Sequence, residues 1–96
     1  MAMDIARSDI VKSTAGRDKG KPFFVLEAEG DFLLLADGKT RRLERPKRKK
    51  RKHVVFQARF DCRTAEKIRN GEKLANSELR KTLAQFGGDG NPDQEG

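Results

Sequence analysis

Tryptophan and tyrosine are missing from this 96-residue chain, and one cysteine (Cys62) and one histidine (His53) are its whole supply of thiol or imidazole ligands. A single cysteine excludes an internal disulfide and any multi-cysteine metal site, and it suits a reducing compartment. His53 has no second ligand of the right type near it in sequence, so no metal is expected there. Without a second histidine or a cluster of carboxylates, no catalytic constellation can be assembled, and neither an enzyme, a cofactor nor a small-molecule substrate is expected. The longest apolar run covers only residues 32–36, far short of the roughly 18 residues that a membrane helix needs. The first ten residues lack the apolar centre of a secretory signal. The expectation is a soluble, cytoplasmic protein with no membrane partner. Hydrophobic residues make up 34% and charged residues 39%, so the core must be small. At this length it is also single, built from Val, Ile, Leu and the six Phe.

What the chain does have is charge of one sign in one place. Residues 41–52 read RRLERPKRKKRK: Arg41, Arg42, Arg45, Lys47, Arg48, Lys49, Lys50, Arg51 and Lys52 against Glu44 alone, a net of +8 in a chain that nets +7. Outside the run, 13 basic residues face 14 acidic ones, so an eighth of the length holds the entire positive excess. Such a run repels itself unless it is solvated or neutralised by a polyanion. The bland reading is a solvated basic linker or targeting signal; the sharper one is a phosphate-binding segment carried on a folded domain.

The flanks favour a folded domain. Residues 9–14 form a short strand that ends at Ala15-Gly16. Residues 16–21 place two glycines around charged side chains, a loop signal, and Pro22 suits the first position of a strand. Residues 23–28 form a second strand, Glu29-Gly30-Asp31 a tight hairpin, and residues 32–36 a third strand, too short for a stable helix. Asp37-Gly38 predicts a type I′ turn into a fourth strand over residues 39–43, ended by Pro46. Residues 53–56 read as a fifth strand.

Five short strands joined by tight turns predict a mainly β fold, a small antiparallel barrel whose closure removes exposed edges. Its expected core is Val11, Val25, Leu34, Leu43 and Val55, with Phe23 and Leu26 near the rim. Residues 64–70 read as a short helix with Thr64 as cap and Gly71 as stop. A second helix runs from Asn76 or Ser77, as cap, to Phe86, with Leu79, Leu83 and Phe86 on one face. The predicted organisation is a flexible arm over residues 1–8 and a barrel over 9–56 that includes the basic run 41–52. Short helices follow over 57–86, and a disordered tail over 87–96.

Residues 8–21 followed by Phe24-Val25 resemble the KOW motif: a strand, a basic glycine loop of the form GxxKGK (here Gly16-Arg17-Asp18-Lys19-Gly20-Lys21), and a second strand. Ala36-Asp37-Gly38, Arg41-Arg42-Leu43, Pro46-Lys47 and Lys52-His53 resemble a narrower group, bacterial KOW proteins similar to an archaeal and eukaryotic-type large-subunit ribosomal protein. Residues 70–74 and 77–83 extend the likeness. Two positions depart from the motif: Ser8 stands where a glycine usually opens it, and Phe23 where a further glycine often follows the loop. The resemblance implies an SH3-like barrel, RNA or ribosome binding, and no reaction.

Cationic side chains and glycine-loop amides together suit phosphates. The candidate RNA-binding residues are therefore Arg17, Lys19 and Lys21 in the loop, Arg41, Arg42, Arg45 and Lys47, Arg48, Lys49, Lys50, Arg51 and Lys52 in the run, and His53. The expected partner is structured RNA, ribosomal RNA above all, held through its backbone, with ribosomal proteins as further partners. Base stacking by Phe24 or Phe32 is the less expected use of residues needed in the core, and Phe56 and Phe60 suit packing of the helices on the barrel. A protein-interaction adaptor of the transcription or translation machinery and a DNA-binding architectural protein are the alternatives.

Overall fold

The computed structural model describes residues 5–59 and 62–87. Strands β1 (Ile10–Ser13), β2 (Pro22–Glu29), β3 (Phe32–Ala36), β4 (Lys47–Lys50) and β5 (Val54–Ala58) are followed by helices α1 (Arg63–Asn70) and α2 (Asn76–Gly87). A single 3-10 turn, Arg51–His53, joins β4 to β5. The strands form one antiparallel sheet in the order β4-β3-β2-β1-β5, open at β4 and β5. The tail expected over residues 87–96 lies outside the described residues from residue 88 on, as does Phe60.

Alternation along the strands sends side chains to two opposite faces, and both faces are buried. Val11, Phe23, Val25, Leu33, Leu35 and Val54 cluster on one face with Ile5. Ile5 is the cluster's one buried member from outside the strands. On the other face Ile10, Phe24 and Ala36 pack under Ile68 of α1 and Leu79 and Leu83 of α2. Adjacent Phe23 and Phe24 thus serve opposite cores, each contributing about 2–3 kcal/mol by burial. Phe23, expected near the rim, is fully buried. Of the other core candidates Val11 and Val25 are buried, Leu34 and Leu43 are half-buried, and Val55 is 44% exposed. An apolar run such as Phe32-Leu33-Leu34-Leu35 hides its own alternation, so Leu34 falls on the opposite face to Leu33 and Leu35. Val55 turns outward because its neighbour Val54 points in.

The β2–β3 hairpin turns on Gly30, whose φ is +57°, with Glu29 paired to Phe32. The next connection departs from expectation. Asp37 does not take the positive φ that a type I′ turn requires. Instead its carboxylate accepts from the Lys39 and Arg41 amides at 2.9 and 2.8 Å and from the Thr40 hydroxyl at 2.9 Å. Asn76 Oδ1 accepts from the Leu43 amide at 2.8 Å. With those amides capped by side chains, residues 39–43 cannot join a ladder, and they form a loop docked on α2. The fourth strand lies inside the basic run, with Leu33 paired to Lys49 and Leu34 to Arg48.

Asn76 sits within the first turn of its helix rather than capping it; Glu78 reaches back to the Ala75 amide at 2.9 Å, half of a capping box. Thr64 likewise lies inside α1, where its hydroxyl shares a hydrogen bond with Thr82, and Cys62 occupies the cap position without a side-chain bond. Gly71 ends α1 at φ +69° as expected. The described chain opens with buried Ile5 and Ser8. Ser8 has φ +74°, the one positive value at a non-glycine among the described residues. Asp9 beside it is fully buried and paired: Arg59 Nε and Nη2 donate to its two oxygens at 2.8 and 3.0 Å.

Candidate nucleic-acid interface

Two of the nine cations in the run, Lys49 and Arg51, fasten the sheet. Lys49 lies on the inner side of β4, opposite Leu33, and its Nζ donates to the Ala15 carbonyl at 2.9 Å, bridging the sheet edge to the loop after β1. Arg51 Nε donates to the Gly30 carbonyl at 2.6 Å and its Nη1 to the Ile5 carbonyl at 2.9 Å, holding the β2–β3 hairpin and the N-terminal segment together. Arg41 approaches Asp18 at 3.5 Å, so the 16–21 loop and the 37–46 loop are tied by charge. Asp18 is buried, an acidic anchor inside the basic loop that its sequence neighbours do not announce. Arg42 lies 3.8 Å from Glu44 with both side chains exposed. A hydrogen bond from Asn76 Nδ2, more than the neighbouring Arg42 charge, holds the Glu44 carboxyl below the ordinary carboxylate range.

The remaining cations are on display. Among the described residues, no hydrogen bond or ion pair occupies the side chains of Arg17, Lys19, Lys21, Arg45, Lys47, Arg48, Lys50 or Lys52. Alternation decides which members of β4 face outward: Lys47 and Lys49 are half-buried, Arg48 and Lys50 exposed. The 3-10 turn then carries exposed Lys52 and half-buried His53, and the His53 carbonyl accepts from the Thr14 amide at 2.9 Å.

These residues do not form one patch. Lys47, Arg48, Lys50 and His53 line an open cleft with Gly16 and Phe32. A neighbouring recess is formed by Asp31, Lys50, Arg51 and Lys52. Lys21 faces elsewhere, into a groove shared with Lys39 and with Arg80 and Leu83 of α2. In that groove Arg80 is spoken for, donating to the Gly38 carbonyl at 2.8 Å.

The aromatic residues divide sharply. Phe24 is fully buried beneath the helices and cannot stack on a base. Phe56 packs on the other core face, away from α1 and α2. Phe32 is half-buried on the outer side of β3, with the Arg48 guanidinium carbon 3.8 Å from its ring centroid and Lys50 Nζ at 5.9 Å. That cation–π contact was hidden from the linear sequence because it depends on the register that sets Phe32 opposite Lys50 and Leu34 opposite Arg48. Among the described residues, no group of three or more His, Cys, Asp or Glu side chains could hold a metal ion. No helix among them is long and apolar enough to cross a membrane. No family model matches the chain, and neither does any curated protein.

Proposed function

We propose that this protein binds structured RNA through backbone phosphates, with the edge strand β4, the 3-10 turn and the Gly16 end of the 16–21 loop as its contact surface, and that ribosomal RNA is the partner. The observation that carries the reading is the division of labour within the basic run. Lys49, Arg51 and Arg41 are consumed in holding the fold, while Lys47, Arg48, Lys50 and Lys52 are held by a rigid edge strand and turn with their charges unmatched. A solvated tether has no reason to be ordered as a strand, and an ordered row of like charges is at its most stable when it meets a polyanion.

The antiparallel sheet in the order β4-β3-β2-β1-β5, with a 3-10 turn before its last strand, supports an SH3-like barrel of the KOW kind. The left-handed Ser8 at the glycine position of that motif supports it too. The adaptor alternative requires an exposed apolar patch near Phe24 or Phe32, but Phe24 is buried and Phe32 is covered by a guanidinium. Val55 is the one exposed large hydrophobic side chain among the described residues.

Titrating the protein into a folded ribosomal RNA fragment at several salt concentrations tests the proposal. Contact with four to eight phosphates gives a slope of log K against log salt on the order of −3 to −7. A flat response, or no binding in dilute buffer, overturns it. Duplex DNA of equal length, titrated at equal salt, separates RNA binding from the architectural DNA reading.

A further inference from the structure

Resting on the RNA-binding reading above, we infer that the Phe32–Arg48 pair is a stacking platform for one unpaired nucleobase, so that the site selects RNA with a bulged or looped-out nucleotide over an uninterrupted duplex. At 3.8 Å from the ring centroid, the Arg48 guanidinium lies at the contact distance of two stacked planes. Phe32 is anchored in β3 beside the buried Leu33, and Arg48 is on a paired strand, so the register sets the two side chains beside each other before any ligand arrives. The guanidinium carbon lies over the ring. Arg48 as a whole is exposed, and among the described residues no carboxylate or carbonyl takes its hydrogens.

An exposed planar cation over an aromatic ring is a surface on which an unpaired base stacks, and a base still within a helix cannot reach it. The cleft at this pair supplies the rest of the contact. Lys50, on the same outward face as Arg48, and the half-buried Lys47 line this cleft and offer cations to the phosphates on either side of an extruded nucleotide. His53 and the glycine backbone at Gly16 border the same cleft and offer polar contacts to a base edge. A row of cations alone would explain charge attraction, but not why an aromatic ring is placed beneath one of them on the outer face of the sheet.

The test uses the full chain and two RNA hairpins that differ by one bulged adenosine, with 2-aminopurine in the bulge as a reporter. The wild-type protein is expected to bind the bulged hairpin roughly five- to twenty-fold more tightly than the uninterrupted one, the lower part of the range that stacking of a single base allows. It should also change the 2-aminopurine emission. Arg48→Lys keeps the charge and removes the plane; Phe32→Leu keeps the apolar bulk and removes the ring. Both variants should bring the ratio close to one and abolish the emission change, and Phe32→Leu, which leaves every cation in place, should keep affinity for the uninterrupted hairpin and its salt slope within about two-fold. Equal wild-type affinity for the two hairpins, or a preference that survives both substitutions, overturns the platform and leaves phosphate binding standing. Failure to bind either hairpin at low salt overturns both.

Discussion

Gly38 and Asn76 meet with no room between them: a Cβ at position 38 would fall 2.2 Å from the Asn76 backbone oxygen and 3.1 Å from Leu79 Cβ. The 37–46 loop is seated on α2 at this point, and Arg80 closes over it by donating to the Gly38 carbonyl. Gly38 also has φ +79°, so alanine there meets backbone strain and a backbone clash together. Gly38→Ala is expected to cost about 2–5 kcal/mol. Gly20 has φ +86°, and a methyl group there would meet nothing within 4 Å. It provides the comparison: Gly20→Ala meets only the strain, about 1–2 kcal/mol. Urea denaturation of the two variants measures the difference, and equal losses would mean that the loop is not seated against the helix.

Ser8 offers a cleaner measure of the same strain. Its φ is +74°, and its hydroxyl accepts from Arg69 Nη1 at 3.1 Å, linking the start of the sheet to α1. Ser8→Gly and Ser8→Ala both delete that hydrogen bond and differ only in the Cβ. Alanine ordinarily stabilises relative to glycine through the unfolded chain; here the left-handed backbone reverses the order. The glycine variant is expected to be more stable than the alanine variant by about 1 kcal/mol, read from their denaturation midpoints. The reverse order would place Ser8 outside the left-handed region in solution.

These positions also show what could be read from the sequence. The Gly30 hairpin and the Gly71 helix stop were legible because each is a local event in which a glycine adopts a conformation that other residues avoid. Asp37-Gly38 misled for a related reason: the aspartate that favours a hairpin turn can also cap neighbouring amides, and nothing local says which it will do. The strand at Lys47–Lys50 was masked by charge, since a half-buried lysine at an edge resembles a solvated one. The cations of the candidate site could be read directly, but not their division into structural and displayed groups. Lys49, Arg51 and Arg41 find their partners 34, 46 and 23 positions away, and only the folded register brings those groups together.

That division makes a prediction in which stability and binding come apart. Arg51→Gln removes charge-assisted hydrogen bonds to the Gly30 and Ile5 carbonyls, and is expected to cost about 1–3 kcal/mol of stability. Lys52→Gln, at the next and exposed position, should change stability by no more than about 0.5 kcal/mol. Its effect should appear as weaker RNA binding and a salt slope shallower by about one. Thermal melts and RNA titrations on both variants check this. A Lys52 variant that unfolds, or an Arg51 variant as stable as wild type, would remove the distinction between fastening and displayed cations.

The two helices are joined by an ion pair whose pH response has a defined sign. Lys67 Nζ on α1 lies 2.6 Å from Glu78 Oε2 on α2. The hydrogen bond from Lys67, followed by that from the Ala75 amide, holds the Glu78 carboxyl below its ordinary value of 4.5. The unfolded chain therefore binds a proton at a higher pH than the folded one does, and stability rises with pH through the window between the two values. The contribution is complete above the ordinary carboxylate pKa and is lost as pH falls through the folded one. Glu78→Gln should lower Tm at pH 7, and the gap to wild type should close as pH drops from about 5 toward 3. High salt at pH 7 should narrow the gap as well, since the pair is only partly shielded from solvent. A gap that persists unchanged at about pH 2.5, below the ordinary carboxylate range, would assign the effect of the substitution to packing at the helix start instead of to the charge.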